Sequence, residues 1–179
     1  MAQIEIIVGS KKTDTPMIEE SKMLDVLNEI GVSWRLTANS AHRHPDHLGD
    51  FVIDCIKNGT KVFIGVASMA AALPGAIASF INPCNSKLGV INVVVIGVAL
   101  SSDEFKNGLD ALLAMTRMPP GVPVLAAGIG KSGCYNAAIT ACQIISIFDV
   151  SIHAKTWSLV KKIRESKKPE IGYRQSKKE

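Results

Sequence analysis

The chain has 179 residues, of which 47% are hydrophobic and 20% are charged, as in an ordinary folded domain. This length predicts one domain with one site and argues against a modular protein. Residues 161–179 contain eight Lys or Arg against three Asp or Glu, a surplus of five, so the first 160 residues carry about −1 of the net +4. Because the body is not basic and no nucleic-acid-reading motif is present, we expect no nucleic-acid partner.

The alternation of apolar runs predicts an α/β fold. Aromatic residues make up only 5% of the chain, so the core must come from Val, Ile, Leu and Ala, which favours a buried parallel sheet. Strand-like runs, in chain order, are 4–8, 33–37, 61–66, 93–98 and 122–127. Helical patterns are 16–30, 45–57, 69–80, 104–117, 131–148 and 151–166.

This order predicts a three-layer sandwich with a central parallel sheet of about five strands, flavodoxin- or Rossmann-like, and an extra C-terminal helix. We expect residues 1–150 to form the main unit, with residues 151–179 as a C-terminal helix and basic tail of the same domain.

The cysteines and the N-terminus predict a reduced, cytoplasmic protein. Cys55, Cys84, Cys134 and Cys142 have no metal-binding spacing and are interpreted as reduced core thiols. No basic segment followed by a long apolar one opens the chain, so no signal peptide is indicated. Residues 62–81 are uncharged and about long enough to span a bilayer, but the Pro-Gly pair at 74–75 favours a buried strand and helix, so no membrane partner is expected.

In parallel α/β sheets, ligands bind beyond the carboxyl ends of the strands. This rule selects five candidate loops, at 9–15, 39–45, 67–72, 99–107 and 128–133. All five are rich in Gly, Ser, Asn or Ala, which let a backbone approach a ligand closely and leave N–H groups free to bind phosphate.

The most informative of these loops contains the run S-A-H-R-H-P-D at 40–46. Arg43 can bind a phosphate in a bidentate way, Ser40 can add a hydrogen bond, and His42 can exchange a proton near neutral pH. The alternative, that Ser40 caps a turn while His42 and Arg43 are merely exposed, is equally compatible with the spacing.

The histidines at 42, 44 and 47 also resemble a metal-ligand set. Their spacing crosses a predicted loop-to-helix boundary and recruits no cysteine, so we expect no metal ion. We interpret His44 and His47 as surface residues on the first turns of a helix.

The first loop carries a weaker signal. Gly9 and Ser10 follow a strand, as a phosphate-binding loop would, but the sequence matches neither the dinucleotide nor the Walker pattern. Asp14 lies just before Pro16 and could cap a helix or accept hydrogen bonds from ribose hydroxyls; both alternatives stay open.

Taken together, the motifs resemble a known family. They are V-G-S-K at 8–11, S-A-H-R-x-P-D at 40–46, A-A-x-L-P-G at 70–75, G-L-D-A-L-L-A-M-T-R-M-P-P-G-V-P-V at 108–124 and I-G-K-S-G-x-x-N-A-A at 129–138. Their order and spacing closely resemble the N5-carboxyaminoimidazole ribonucleotide mutases of purine biosynthesis, the PurE family, from about residue 4 to residue 147.

The resemblance implies a cytoplasmic, cofactor-free homo-octameric isomerase that moves a carboxylate from the exocyclic nitrogen of a small ribonucleotide to its ring carbon. It assigns proton transfer to His42, and phosphate binding to Ser40 and Arg43. The first-loop Ser and Asp of the family correspond to Ser10 or Thr13 and to Asp14. The full substrate-binding set that it implies is Gly9, Ser10, Thr13, Asp14, Ser40, Arg43, Ala67, Ser68, Met69 and Leu73.

Two loops depart from the family pattern. The third reads S-M-A-A-A-L-P-G at 68–75 where G-G-A-A-H-L-P-G is usual, so Ala72 replaces a histidine and Met69 a glycine. The first reads K-K-T-D-T-P where K-S-D-W-P is usual. Besides an active mutase, these changes admit a carboxylase that uses CO2 directly, a carboxylase of another nucleotide as in nickel-pincer cofactor synthesis, or a nucleotide-binding paralogue without turnover.

Overall fold

The computed structural model describes residues 2–81 and 93–166, and its centre is a parallel sheet of five strands. The strands are β1 Ile4–Val8, β2 Trp34–Ala38, β3 Val62–Ala67, β4 Val94–Ala99 and β5 Leu125–Ile129. They lie in the order β2-β1-β3-β4-β5, and every neighbouring pair is parallel. The predicted flavodoxin-like sheet is therefore confirmed.

Seven described helices cover the sheet. They are α1 Lys11–Glu20, α2 Met23–Ile30, α3 Pro45–Lys57, α4 Ala72–Ile81, α5 Leu109–Thr116, α6 Gly130–Ser146 and α7 Val150–Glu165. Helices α1, α2 and α6 share one core cluster with one face of the sheet, and α3, α4 and α5 share a second cluster with the other face. Helix α7 packs on α6 and α2, which confirms the three-layer sandwich with an extra C-terminal helix.

The core is aliphatic, as the composition requires. Strands β1 and β3 are buried along their whole length, because helices cover both of their faces. Alternate residues of β1 enter opposite clusters: Ile6 packs toward α2 and α6, and Ile7 packs toward α3 and α4. Leu159 of α7 belongs to the same cluster as Ile6, so the C-terminal helix completes the core of this chain.

One buried charge links the sheet to α3. The Glu5 side chain on β1 is fully buried, and Arg35 on the neighbouring strand β2 forms an ion pair with it. The same guanidinium donates to Cys55 Sγ at 3.1 Å and lies 5.0 Å from the centre of the Phe51 ring, both on α3. The Glu5 carboxylate raises the pKa of Arg35, so the cation that neutralises the buried carboxylate stays charged.

The prediction of one helix over residues 16–30 is wrong, because two helices occupy this region and the first begins at Lys11. Ser10 Oγ accepts the Thr13 N–H, and Asp14 accepts the Ser10 N–H in return. This reciprocal cap starts α1 well before Pro16. Lys22, with a φ of 62°, then separates α1 from α2. Most of the predicted loop 9–15 is therefore helical.

Three other boundaries differ from the predictions. Helix α4 begins later than residue 69, because Met69 and Ala71 both have positive φ angles. Helix α5 begins after Gly108, whose φ of 64° interrupts the predicted helix 104–117. Strand β5 is displaced toward the C-terminus, because Pro123 in the predicted run has no N–H for the ladder. The predicted loop 128–133 is the end of β5 and the first turn of α6.

The cysteine prediction is confirmed where the structure describes it. Cys55, Cys134 and Cys142 are buried free thiols. Burial raises the pKa of Cys55 and Cys134 to about 11 and that of Cys142 to about 12. Cys84 lies outside the described residues. The uncharged segment 62–81 forms β3 and α4, and no helix in the described ranges is long and apolar enough to cross a membrane.

Candidate active site

The carboxyl ends of the parallel strands border a cavity of about 840 Å³. The segments that follow β1, β2, β3 and β4 line it. Strand β1 lies between β2 and β3, so the chain reverses its winding direction beside β1. Ligand sites of doubly wound sheets lie at this kind of reversal, and the cavity volume is that of a small-molecule site.

The cavity brings together every site residue that the sequence predicted. These are Gly9, Ser10, Thr13, Asp14, Ser40, His42, Arg43, Ala67, Ser68, Met69 and Leu73. They come from three separate chain segments that only the sheet order makes neighbours. Their common location is an observation; the role of each side chain remains a prediction. The candidate loop 128–133 does not line this cavity.

Sequence reasoning named the loop after β4 but no residue within it. Ser101, Ser102, Asp103 and Lys106 from this loop line the cavity. Lys106 therefore places a second cationic side chain along the cavity, besides Arg43. The position of the loop after a strand was the available signal, but its side chains form no motif that separates them from solvated surface residues.

Residues 40–43 form a tight turn between β2 and α3. The Ser40 carbonyl accepts the His44 N–H at 3.0 Å, and Ser40 Oγ accepts the Arg43 N–H at 3.4 Å. Ser40 thus has the turn-stabilising role that the sequence left open, and it also lines the cavity. The side chains of His42 and Arg43 are exposed and make no hydrogen bond or ion pair with any described residue. Both are therefore available to a ligand.

The other two histidines of this region lie away from the cavity lining. His44 is the N-cap residue of α3, and His47 is exposed on its first turns, as predicted. The amide of Asn39 lies 3.3 Å from His47 Nδ1, which fixes the ring. In the described ranges, no three His, Cys, Asp or Glu side chains are grouped to bind a metal ion.

Asp14 fixes the shape of the first loop. Its side chain is buried, Oδ2 accepts the Ser10 N–H at 2.9 Å, and Oδ1 accepts the Thr13 hydroxyl at 3.0 Å. Burial raises the pKa of Asp14 above its ordinary 3.8, and the hydrogen bonds from Thr13 and Ser10 oppose this rise. The N-cap residue of α1 is Ser10 and not Asp14, which lies within the first turn of the helix and accepts the N–H of the cap residue. The ribose-binding role of Asp14 remains a prediction.

Comparison with known proteins shows the family of this chain. Residues 3–168 match the family model described as AIR carboxylase. The chain belongs to this family. The N5-carboxyaminoimidazole ribonucleotide mutase of Bacillus subtilis is 40% identical over 152 residues, 85% of each chain. The protein of the same name from Vibrio parahaemolyticus is 38% identical over 153 residues, 86% of each chain.

A solved structure supports the fold. The crystal structure of Treponema denticola PurE superposes with a TM-score of 0.73 at 23% identity, covering 91% of this chain and 92% of that one. At this level of identity, the similarity concerns the architecture and not the details of the site.

The raised pKa of Asp14 predicts a pH-dependent contribution to stability. The carboxyl group of Asp14 binds its proton more tightly in the folded state than in the unfolded state. The protonated group therefore contributes fully to stability below the ordinary pKa of 3.8, and this contribution is lost as the pH rises through the pKa of the folded state. Asp14→Asn cannot ionise. We expect the free energy of unfolding of the wild type, relative to Asp14→Asn, to fall in urea titrations as the pH rises from below 3.8 through the raised pKa of the folded state. The exposed Asp54→Asn is the matched control, and a difference independent of pH for Asp14→Asn would contradict the prediction.

Proposed function

We propose that this protein is an N5-carboxyaminoimidazole ribonucleotide mutase of purine biosynthesis, an isomerase that forms 4-carboxy-5-aminoimidazole ribonucleotide. The observation that carries the proposal is the imidazole of His42 beside the guanidinium of Arg43 in the cavity, both without a side-chain partner among the residues that the structure describes. The first supplies a proton-transfer group and the second an anion-binding group. Relatives at 38% and 40% identity bear the mutase name.

The proposed reaction needs one group that both gives and takes a proton. Protonation of the exocyclic nitrogen breaks its bond to the carboxylate and releases CO2. The ring carbon then attacks this CO2, forms the new carbon–carbon bond and loses its own proton. One proton is delivered and one is removed, so the isomerisation is balanced without a metal ion or an organic cofactor. A single imidazole can perform both transfers, because its ring nitrogen can give up a proton and take one back, and His42 is the histidine that lines the cavity.

The phosphate of the substrate would bind where the first two loops meet. Arg43 offers a bidentate fork, and the hydroxyls of Ser40 and Ser10 lie on the same cavity. Asp14 already accepts the Ser10 N–H, so we assign phosphate contact at Ser10 to its hydroxyl. Thr13 and Asp14 would face the ribose, and the backbone of Gly9 would approach it closely. Ala67, Ser68, Met69 and Leu73 would line the aminoimidazole side.

The main alternative is an aminoimidazole ribonucleotide carboxylase that takes CO2 from solution, the activity named in the family description. Ala72 in place of the usual histidine is compatible with either reaction. Two assays separate them: the protein is given N5-carboxyaminoimidazole ribonucleotide, or aminoimidazole ribonucleotide with bicarbonate, and formation of the carbon-carboxylated product is followed. Product from the first substrate alone supports the mutase, and product from the second supports the carboxylase. Binding without turnover supports a non-catalytic paralogue, and inertness toward both supports a carboxylase of another nucleotide.

We further propose that the protein is cytoplasmic and that residues 1–150 form the catalytic unit, with residues 151–179 as a helix and tail of the same domain. Ile152 and Leu159 of α7, which lie in the same core cluster as α6, support the single domain.

We expect a homo-octamer. On α7, Leu159 is buried within this chain, while Trp157 is 60% exposed. Further support for an interface comes from α5 and β5, where Leu109, Leu113 and Leu125 are each about half exposed. Light scattering should show a mass of about eight chains, reduced by Leu113→Asp, because a charge in an apolar interface is costly. A wild-type monomer at micromolar concentration would contradict this prediction.

Arg43→Ala should weaken binding of aminoimidazole ribonucleotide by roughly 2 kcal/mol, about 30-fold, because a charge-assisted pair with the phosphate is lost. Calorimetry measures the affinity. Arg117→Ala is the matched control, because Arg117 is an exposed arginine at the end of α5 and does not line the cavity. Unchanged affinity in Arg43→Ala would show that Arg43 is a solvated surface residue and does not bind the phosphate.

His42→Asn should lower the isomerisation rate by about 10²-fold or more, because no other imidazole lines the cavity to transfer the proton. Nucleotide affinity and the unfolding midpoint should change little. His44→Asn, two residues away and outside the lining, controls for changes in the loop. A variant at residue 42 that kept most of the wild-type rate would remove His42 from the mechanism.

A further inference from the structure

The loop after β3 has an unusual backbone conformation. Met69 has a φ of 58° and Ala71 a φ of 42°, in the left-handed region that favours glycine. In the described ranges, three residues other than glycine have a positive φ, and two of them belong to this loop. Such a conformation is strained for a residue with a side chain, because Cβ approaches the following carbonyl oxygen. The chain therefore keeps a methionine where glycine would be less strained.

Packing of the Met69 side chain in the core does not offset this strain. The side chain is 57% exposed and belongs to neither core cluster, although it lines the cavity. A large apolar side chain that is exposed beside a cavity, on a strained backbone, adds little to the stability of the fold. Contact with a ligand is therefore the better explanation for a methionine at this position. Methionine is unbranched and polarisable, so it adapts to the shape of what it covers.

The two sides of the cavity differ in chemistry. The segments after β1 and β2 contribute hydroxyls, a carboxylate, an imidazole and a guanidinium. The segment after β3 contributes mainly alkyl groups, and we call it the apolar wall: Ala67, Met69, Ala70, Ala71, Ala72 and Leu73. Strand β3 lies two strand spacings from β2, about 10 Å, so a ring bound over β1 lies between His42 and this wall.

We propose that Met69 covers the apolar wall and retains CO2 in the cavity during the reaction. This inference rests on the proposed function, in which CO2 separates from one atom of the substrate before it joins another. CO2 is small, uncharged and weakly hydrated, so an apolar wall closed by a thioether side chain retains it better than a polar wall open to water. The role requires volume and apolarity at residue 69, and no proton transfer.

The test measures where the carboxylate of the product comes from. Wild type, Met69→Ala and Met69→Leu are given N5-carboxyaminoimidazole ribonucleotide in buffer that contains ¹³C-bicarbonate and carbonic anhydrase. Aminoimidazole ribonucleotide that is released, corrected for loss without enzyme, reports CO2 that escaped, and ¹³C in the product carboxylate reports CO2 that entered. We expect Met69→Ala to raise both signals, relative to total substrate consumed, by roughly fivefold. Met69→Leu should stay within about twofold of wild type, because leucine has a similar volume.

The outcomes separate this inference from the proposed function. If the wild type forms no product from this substrate, the proposed function fails. If the wild type is active and Met69→Ala retains CO2 as well as the wild type does, only the retention role is overturned. A Met69→Leu variant that leaks as much as Met69→Ala also overturns it, since apolar volume would then not matter. If the product of the wild type carries ¹³C from the buffer to the full extent from the start of the reaction, CO2 exchanges freely with the solvent, and the retention role is overturned as well.

A stability measurement tests the strain independently of activity. Met69→Gly should raise the unfolding midpoint by about 3 °C, because glycine relieves the left-handed strain, and it should also leak CO2. Lys22→Gly is the matched control, since Lys22 has a φ of 62° and is remote from the cavity lining. It should raise the midpoint without changing the fraction of CO2 retained. A lower midpoint for Met69→Gly would show that the side chain stabilises the fold, which overturns the argument.

Discussion

The site depends on one constraint, which is the parallel pairing of β1 with strands on both of its edges. Val8, the last residue of β1, is paired with Ala38 at the end of β2 and with Val66 near the end of β3. The three segments that follow must therefore leave the sheet side by side, about 5 Å apart from one strand to the next. Residues distant in the sequence become neighbours without any direct bond among their side chains.

This constraint explains why much of the site was predictable. Once five apolar runs predict a parallel sheet, the loops at the carboxyl ends must lie along one edge of it, and polar residues such as His42 and Arg43 in those loops mark the candidate site. Four of the five candidate loops line the cavity, and the loop at 128–133 does not. The prediction needs only the strand type and the order of elements, not accurate boundaries. The predicted site residues therefore lie together although β5 lies further along the chain than predicted and α1 begins earlier. Neither difference changes which end of the sheet each loop occupies.

The parts that could not be predicted depend on interactions without a periodic pattern. The early start of α1 comes from three hydrogen bonds: Asp14 accepts the Ser10 N–H and the Thr13 hydroxyl, and Ser10 Oγ accepts the Thr13 N–H. Hydrophobic spacing does not detect such bonds. The late start of α4 comes from positive φ angles at residues whose types do not favour them. Local propensity would extend that helix through Met69, so the surrounding structure must impose the left-handed turn.

The absence of an imidazole at Ala72 links the two proposals for this site. In the proposed reaction, with one proton-transfer group, delivery of a proton to the nitrogen and removal of a proton from the ring carbon would both occur at His42, one after the other. In the proposed reaction, CO2 is not bonded to the substrate during that interval, so the surface of the cavity that it contacts would decide whether it stays. A methyl group at residue 72 and a thioether at residue 69 make the same wall apolar. In the two proposals taken together, Ala72 and Met69 would give CO2 an apolar surface while His42 carries out both proton transfers.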